Sequence, residues 1–282
     1  MPFTPSHAVV ALPFVRTPLV PAAIAVGAMT PDLPLFVRGI PLHYGLTHSL
    51  IWLPATIALA LVLLLVWRCV LRPAARELSP RRLAERLPAL WDRGAGDAAR
   101  ETFARRSTDA APPRPSVAAT LLLLASLVIG LLTHIVWDLF THEGRWGTLI
   151  VPALAEPWGP FPGYRWLQHG SSAVGLAILA VWATVWLATR HPVDVPRLFP
   201  GWVRWTVWLS LPALLVGAAV WGLVAFGPFT ADFTPAHLAY RMLPPACAAW
   251  GALVVVVCAV VQIVRSRGSH SGESEPHVRG AA

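Results

Sequence analysis

Five runs of apolar residues, each about as long as a bilayer is thick, set most of what this chain can become. They occupy residues 50–67, 117–140, 171–189, 205–226 and 243–264. A hydrocarbon core about 30 Å thick needs about 20 apolar residues wound as a helix. A helix that is hydrophobic all round has no polar face to offer water. Only Asp138 places a charge inside any of the runs. Charged residues make up 13% of the chain and hydrophobic ones 56%, against about 25% charged in ordinary soluble domains. The expected fold is therefore all-α and polytopic, with about five transmembrane helices.

Orientation follows from arginine. All 22 basic residues are Arg, and 14 acids leave a formal net charge of +8. Segment 68–116 holds 11 Arg against 6 acids, and short Arg-rich connections stay on the cytoplasmic side. Alternation then puts 190–204 and the tail 265–282 inside as well, both net positive, and the charge-balanced loops 143–168 and 227–242 outside. Trp52, Trp67, Trp146, Trp166, Trp202 and Trp205 lie near the expected interfaces, as an aromatic belt requires. The basic residues separate the apolar runs and form no patch interleaved with aromatics, so membrane lipid is the expected partner and nucleic acid is not. A bacterial inner membrane is the expected location. Cys69, Cys247 and Cys258 show no paired spacing and read as small core residues. No basic region precedes the first apolar stretch, so an N-terminus retained in the mature chain is expected.

The first 47 residues are apolar but carry Pro at positions 2, 5, 13, 18, 21, 31, 34 and 41. Proline this dense opposes a single straight span. Two short helices, 6–15 and 20–29, with Ser6 placed to cap the first, predict a re-entrant or interfacial hairpin that returns His7 and Asp32 to the same side. The organisation expected is a membrane domain over 1–190, which includes the cytoplasmic Arg-rich loop 68–116, then two further transmembrane helices within 191–265 and a flexible tail over 266–282. The stretch 72–116 reads as flexible or as lying on anionic headgroups.

The sharpest local feature is T-H-I-V-W-D-L-F-T-H at 133–142. His134, Asp138 and His142 are four apart, so a helix stacks them along one stripe. An ionisable residue at this depth is costly unless paired, and is a functional candidate by default. The bland alternative is an interfacial His with an Asp at a helix end. On the topology set by Arg alone, His7, Asp32, His43, His48 and His169 fall on the same face. Imidazole nitrogen and carboxylate oxygen are the usual ligands of zinc, and a zinc site with an open position activates water near neutral pH. Thr47, Ser49, Thr141 and Ser171 are placed to support such ligands. Glu143 reads equally as a ligand, a general base or a plain helix-end charge. His191, His270 and His277 fall on the other face in polar segments and read as solvated, while His237 lies in an ordinary outer loop. There is no phosphate-binding Gly loop, H-E-x-x-H or G-x-S-x-G, which leaves metal chemistry as the enzyme reading.

Five motifs occur in order: M-P-F-T-P-S-H-A, G-A-M-T-P-D-L-P, T-H-S-L, L-T-H-I-V-W-D-L-F-T-H and W-L-Q-H-G-S-S-A-V-G-L. In that combination, over residues 1–190, the chain resembles the bacterial membrane family DUF4184. The N-terminal His, the P-D, the T-H-S and the H-x-x-x-D also look like YdjM-type membrane-bound metal-dependent hydrolases. More distantly, their order is similar to that of zinc-dependent phospholipase C and P1-type nuclease. The likeness implies His7, Asp32, His48, His134, Asp138 and His142 as ligands of a divalent metal, zinc by preference, in a hydrolase of phosphoester or lipid-derived substrates. His169 departs from it, because Ala173 stands where those enzymes have a second ligand. The rival readings are a metal or proton transporter, which needs ligands spread through the bilayer depth, and a non-catalytic membrane scaffold.

Overall fold

The computed structural model describes residues 3–37, 41–104 and 114–272, apart from the side chains of 268–272. Parts of the expected hairpin, of the Arg-rich segment and of the tail, with His270 and His277, lie outside what is described. The described residues are all-α but for one two-residue strand pair, Pro157–Trp158 with Phe161–Pro162, and among them five helices are long and apolar enough to cross a membrane: Leu53–Leu78, Val117–Thr141, Gly163–Ala188, Gly201–Phe226 and Pro235–Arg267. Each extends past its apolar run at one end at least, because hydropathy registers apolar side chains, whereas helices continue wherever backbone bonding does. The first span carries a π-helical turn over Val66–Leu71 and then a polar segment, Arg72–Leu78. Two carbonyls of that turn, those of Cys69 and Val70, accept from Gln262 at 2.9 and 3.1 Å.

The chain divides into two compact units, Met1–Val66 with Arg100–Arg190 and Trp67–Ala99 with His191–Ala282. In the first, the N-terminus forms the expected hairpin: a 3-10 helix over Thr4–Phe14, a turn, and an α-helix over Pro21–Met29. Ser6 does not cap it. Phe3 occupies the cap position and Ser6 is buried one turn on. The second helix of the hairpin crosses the second span at backbone distance. A Cβ on Gly130 would lie 2.2 Å from the Ile24 carbonyl oxygen, and one on Gly27 would lie 2.6 Å from that of Leu127, so only glycine permits the approach. Ser126 Oγ also accepts from Val20 N–H at 2.9 Å. The 3-10 helix packs on the third span near Gly175, and Phe3 N–H donates to Ser172 Oγ at 2.8 Å. The second span is the hub: its apolar window is 44% buried, against 6–17% for the other four.

The stretch expected to be flexible or to lie on anionic headgroups carries helical segments between Arg72 and Thr102, most of them in the second unit. Glu77 is buried there, and its carboxylate accepts from Leu198 N–H, Phe199 N–H and Arg204 at 3.0, 3.2 and 3.1 Å. Arg197 covers the carbonyl end of Arg72–Leu78, donating to Arg76 and Glu77 carbonyls at 2.5 and 2.6 Å. A cation at a helix C-terminus satisfies groups with no intrahelical partner. The fourth and fifth spans meet closely at Gly222, where a Cβ would lie 2.4 Å from Leu238 Cδ1.

Candidate metal centre

Asp138 gathers the site. It lies 4% exposed near the end of the second span. Its Oδ2 is 3.5 Å from His134 Nε2, one helical turn earlier, and 3.7 Å from His142 Nδ1, one turn later. The spacing of four thus does what the helix period requires. His48 enters from the turn before the first span, with Nε2 3.3 Å from the same oxygen and 3.2 Å from His134 Nε2. Asp32 arrives from the hairpin, whose glycine crossing sets its depth, with Oδ1 3.6 Å from His134 Nε2. The ligand atoms of Asp32, His48, His134 and Asp138 all lie within 4.8 Å of one another.

Backbone carbonyls fix the histidine tautomers. A carbonyl can only accept, so a ring nitrogen facing one carries the proton. His134 Nδ1 donates to Ala28 carbonyl at 2.7 Å, His48 Nδ1 to Tyr44 carbonyl at 3.0 Å and His142 Nδ1 to Asp138 carbonyl at 3.1 Å. The Nε2 lone pairs of His48 and His134 therefore face each other across 3.2 Å, beside two carboxylates. Such an arrangement is repulsive unless a cation or a proton joins it. Asp32 Oδ1, His7 Nε2 and His142 Nε2 are buried without a hydrogen-bond partner, and buried polar atoms are seldom left so. An ion held tetrahedrally by bonds of about 2.0–2.1 Å spaces its ligands about 3.3 Å apart. Four of the six separations, at 3.2 to 3.6 Å, match that edge, and all six lie within 4.8 Å. The donor set, two imidazoles and two carboxylates, is of the kind that could hold a divalent metal ion.

His7 is buried with its ring 4.2 Å from that of His134. Burial, reinforced by His134, lowers its pKa from 6.5 to about 4, so the ring is neutral at neutral pH. Desolvation by burial raises the Asp32 carboxyl and lowers His142. His43 and His169 are exposed and stand outside the convergent group. His169 instead meets the edge of Phe161. Glu143 is exposed and accepts from Tyr164 Oη at 3.2 Å. Thr47 and Thr141 sit beside His48 and His142, each at 3.3 Å, whereas Ser171 bonds Trp137.

Two supporting residues were not anticipated. Tyr44 Oη donates to Asp138 Oδ2 at 2.7 Å while its ring stacks on His48 at 3.6 Å, and Thr4 Oγ1 donates to Asp32 Oδ2 at 2.7 Å. Burial and the Asp138 carboxylate raise the Tyr44 phenol well above its usual value, so it is a donor throughout the physiological range. The one signal available for Tyr44 is its position four residues before His48. The description "Domain of unknown function (DUF4184)" matches residues 1–266. The chain belongs to the DUF4184 family. The DUF4184 match extends past residues 1–190, where the motifs lie, through the last two spans. No curated protein and no solved structure matches the chain.

Proposed function

We propose that this DUF4184 protein is an integral membrane metalloprotein, and that its cluster holds a divalent cation, zinc by donor type, in a hydrolase acting on a phosphoester or other lipid-derived substrate. The observation that carries this reading is the pair of Nε2 lone pairs of His48 and His134 facing each other at 3.2 Å beside Asp32 and Asp138. A divalent cation bound there would supply Lewis acidity and bring the pKa of a bound water toward neutrality. The protein's own part is to hold His48, His134, Asp32 and Asp138 as the inner set. His7 and His142 stand outside that convergent set, beside it, with buried Nε2 atoms that have no hydrogen-bond partner. Tyr44 and Thr4 hold the two carboxylates in position. His142, whose side chain is 20% exposed against 0–6% for the inner four, marks the open edge. Glu143, next in sequence, is the candidate proton acceptor there.

The excess of Arg in 68–116 supports a cytoplasmic place for that segment, and so an extracytoplasmic place for the cluster in a bacterial inner membrane. The motif order shared with YdjM-type hydrolases and zinc-dependent phospholipase C supports hydrolysis. Elemental analysis of purified wild-type protein beside Asp138→Ala tests the reading. The expected result is a stoichiometric divalent ion in the wild type and its loss in the variant. A wild-type protein that carries no metal, and gains no thermal stability from zinc, manganese or iron, sinks the reading and leaves a membrane scaffold.

A further inference from the structure

Beside the open edge of the cluster, the connection between the second and third spans carries large apolar side chains that nothing covers. Its short helix, Trp146–Ile150, buries Gly147 and Thr148 and exposes Trp146, Leu149 and Ile150, at 68%, 67% and 60%. Positions 146, 149 and 150 share one face at helical spacing. Val151 continues the exposed apolar run.

This connection is not a loop standing off the bundle. A Cβ on Gly147 would lie 2.6 Å from the Leu139 carbonyl oxygen and 2.7 Å from the Phe140 ring. The short helix is therefore held at the depth of the last turn of the second span. At the far end Gly163 is wedged against Trp158 and Leu154, and Trp166 Nε1 donates to the Trp158 carbonyl at 2.8 Å. The short helix also satisfies its own backbone: Leu149 N–H and Val151 N–H donate to Arg145 and Gly147 carbonyls at 3.2 and 3.0 Å, and Thr148 Oγ1 donates to the Arg145 carbonyl at 2.7 Å. Backbone that enters the apolar boundary must be paired in this way. Tryptophan flanked by aliphatic residues is the composition of that boundary.

We propose that residues 143–162 form an interfacial foot, with Trp146, Leu149, Ile150 and Val151 lying in the headgroup-to-acyl boundary of the leaflet at the site's end of the bundle. The lipid-facing surfaces of the second span, where Val136 and Trp137 are exposed, run directly into this foot. Bilayer lipid is thus the occupant continuous with it. Resting on the metal reading, the foot narrows the substrate class: His142 opens at headgroup level, so the molecule it receives is an amphiphile whose polar head carries the scissile bond.

The test needs neither metal nor activity. Leu149→Cys and Ile150→Cys proteins, in nanodiscs of phosphatidylcholine and phosphatidylglycerol, are labelled with an environment-sensitive fluorophore, and signal from the native cysteines is subtracted using the parent protein. Spin-labelled phosphatidylcholine should quench these positions several-fold more than it quenches Glu156→Cys on the same connection. Equal quenching, with free access to aqueous iodide, overturns the foot and favours a soluble partner or a second copy as its cover. If the cysteine variants do not fold, hydroxyl-radical footprinting of the unaltered protein in the same nanodiscs gives the answer. Trp146 should be oxidised several-fold more slowly than in the unfolded chain, and an equal rate overturns the proposal. A protein that shows the quenching yet binds no metal keeps the foot and loses the metal reading.

Discussion

Each compact unit buries carboxylate charge, and the two units treat it differently. Glu77, in the second unit, is closed by protein: two backbone N–H groups and Arg204 use its oxygens. Asp138, in the first, is met by Tyr44 and by imidazole nitrogens whose protons are already committed to carbonyls. Around it Asp32 Oδ1, His7 Nε2 and His142 Nε2 have no partner. A buried charge that is fully paired holds a fold together, whereas a cluster left short of positive charge and proton donors is a place for something to bind. Removing one partner of a buried pair is strongly destabilising, but removing one member of a cluster whose lone pairs face one another need not be.

The largest expected effect follows from that contrast. Glu77→Ala removes the buried carboxylate that Arg204 and two part-buried N–H groups use and should destabilise the protein by about 3–5 kcal/mol, read as a lowered unfolding temperature in detergent. Metal content per folded molecule should be unchanged. Loss of metal in folded Glu77→Ala protein would erase the distinction between the two carboxylates.

Much of this was legible in the sequence, for reasons that differ by residue. His134, Asp138 and His142 are related by local helix geometry, which spacing alone reveals. Asp32 and His48 were placed on their face by charge and hydropathy, which sort residues by membrane side. The same sorting included His43 and His169, because sharing a face does not mean sharing a point, and both are exposed away from the cluster. Tyr44 and Thr4 depend on contacts across 94 and 28 residues, which no local pattern encodes. The helix beyond Trp67 was hidden for the opposite reason. Arg72, Arg76 and Glu77 look solvated in a hydropathy profile, yet tertiary contacts bury all three.

Acid should separate the units by a smaller amount. A metal at a hundredfold excess over its dissociation constant stabilises the folded state by about 2.7 kcal/mol, and its ligands must be unprotonated. His7 has a folded pKa of about 4 against an ordinary 6.5. As pH falls from 6.5 the unfolded chain therefore takes up this proton first, and folded stability declines until the pH passes about 4. Above 6.5 this residue contributes no pH dependence. The gain in unfolding temperature on adding zinc should thus be full at neutral pH and fall away as the pH approaches about 4, where His7 takes up a proton in the folded protein. A zinc gain that persists undiminished at that pH would mean the ion binds outside the histidine cluster.

The smallest expected effect isolates one hydrogen bond. Tyr44→Phe keeps the ring that stacks on His48 at 3.6 Å and removes only the hydroxyl that donates to Asp138 Oδ2 at 2.7 Å. Groups that orient metal ligands typically change affinity 10–100-fold when removed. Because the phenylalanine ring still packs, the low end applies, about tenfold or about 1.4 kcal/mol. Competition against a zinc chelator of known affinity reads this directly, with His169→Ala as the comparison that should not move. If Tyr44→Phe leaves affinity unchanged while lowering the stability of the metal-free protein, the hydroxyl serves packing. Asp138 would then resemble Glu77 more closely than the geometry around it indicates.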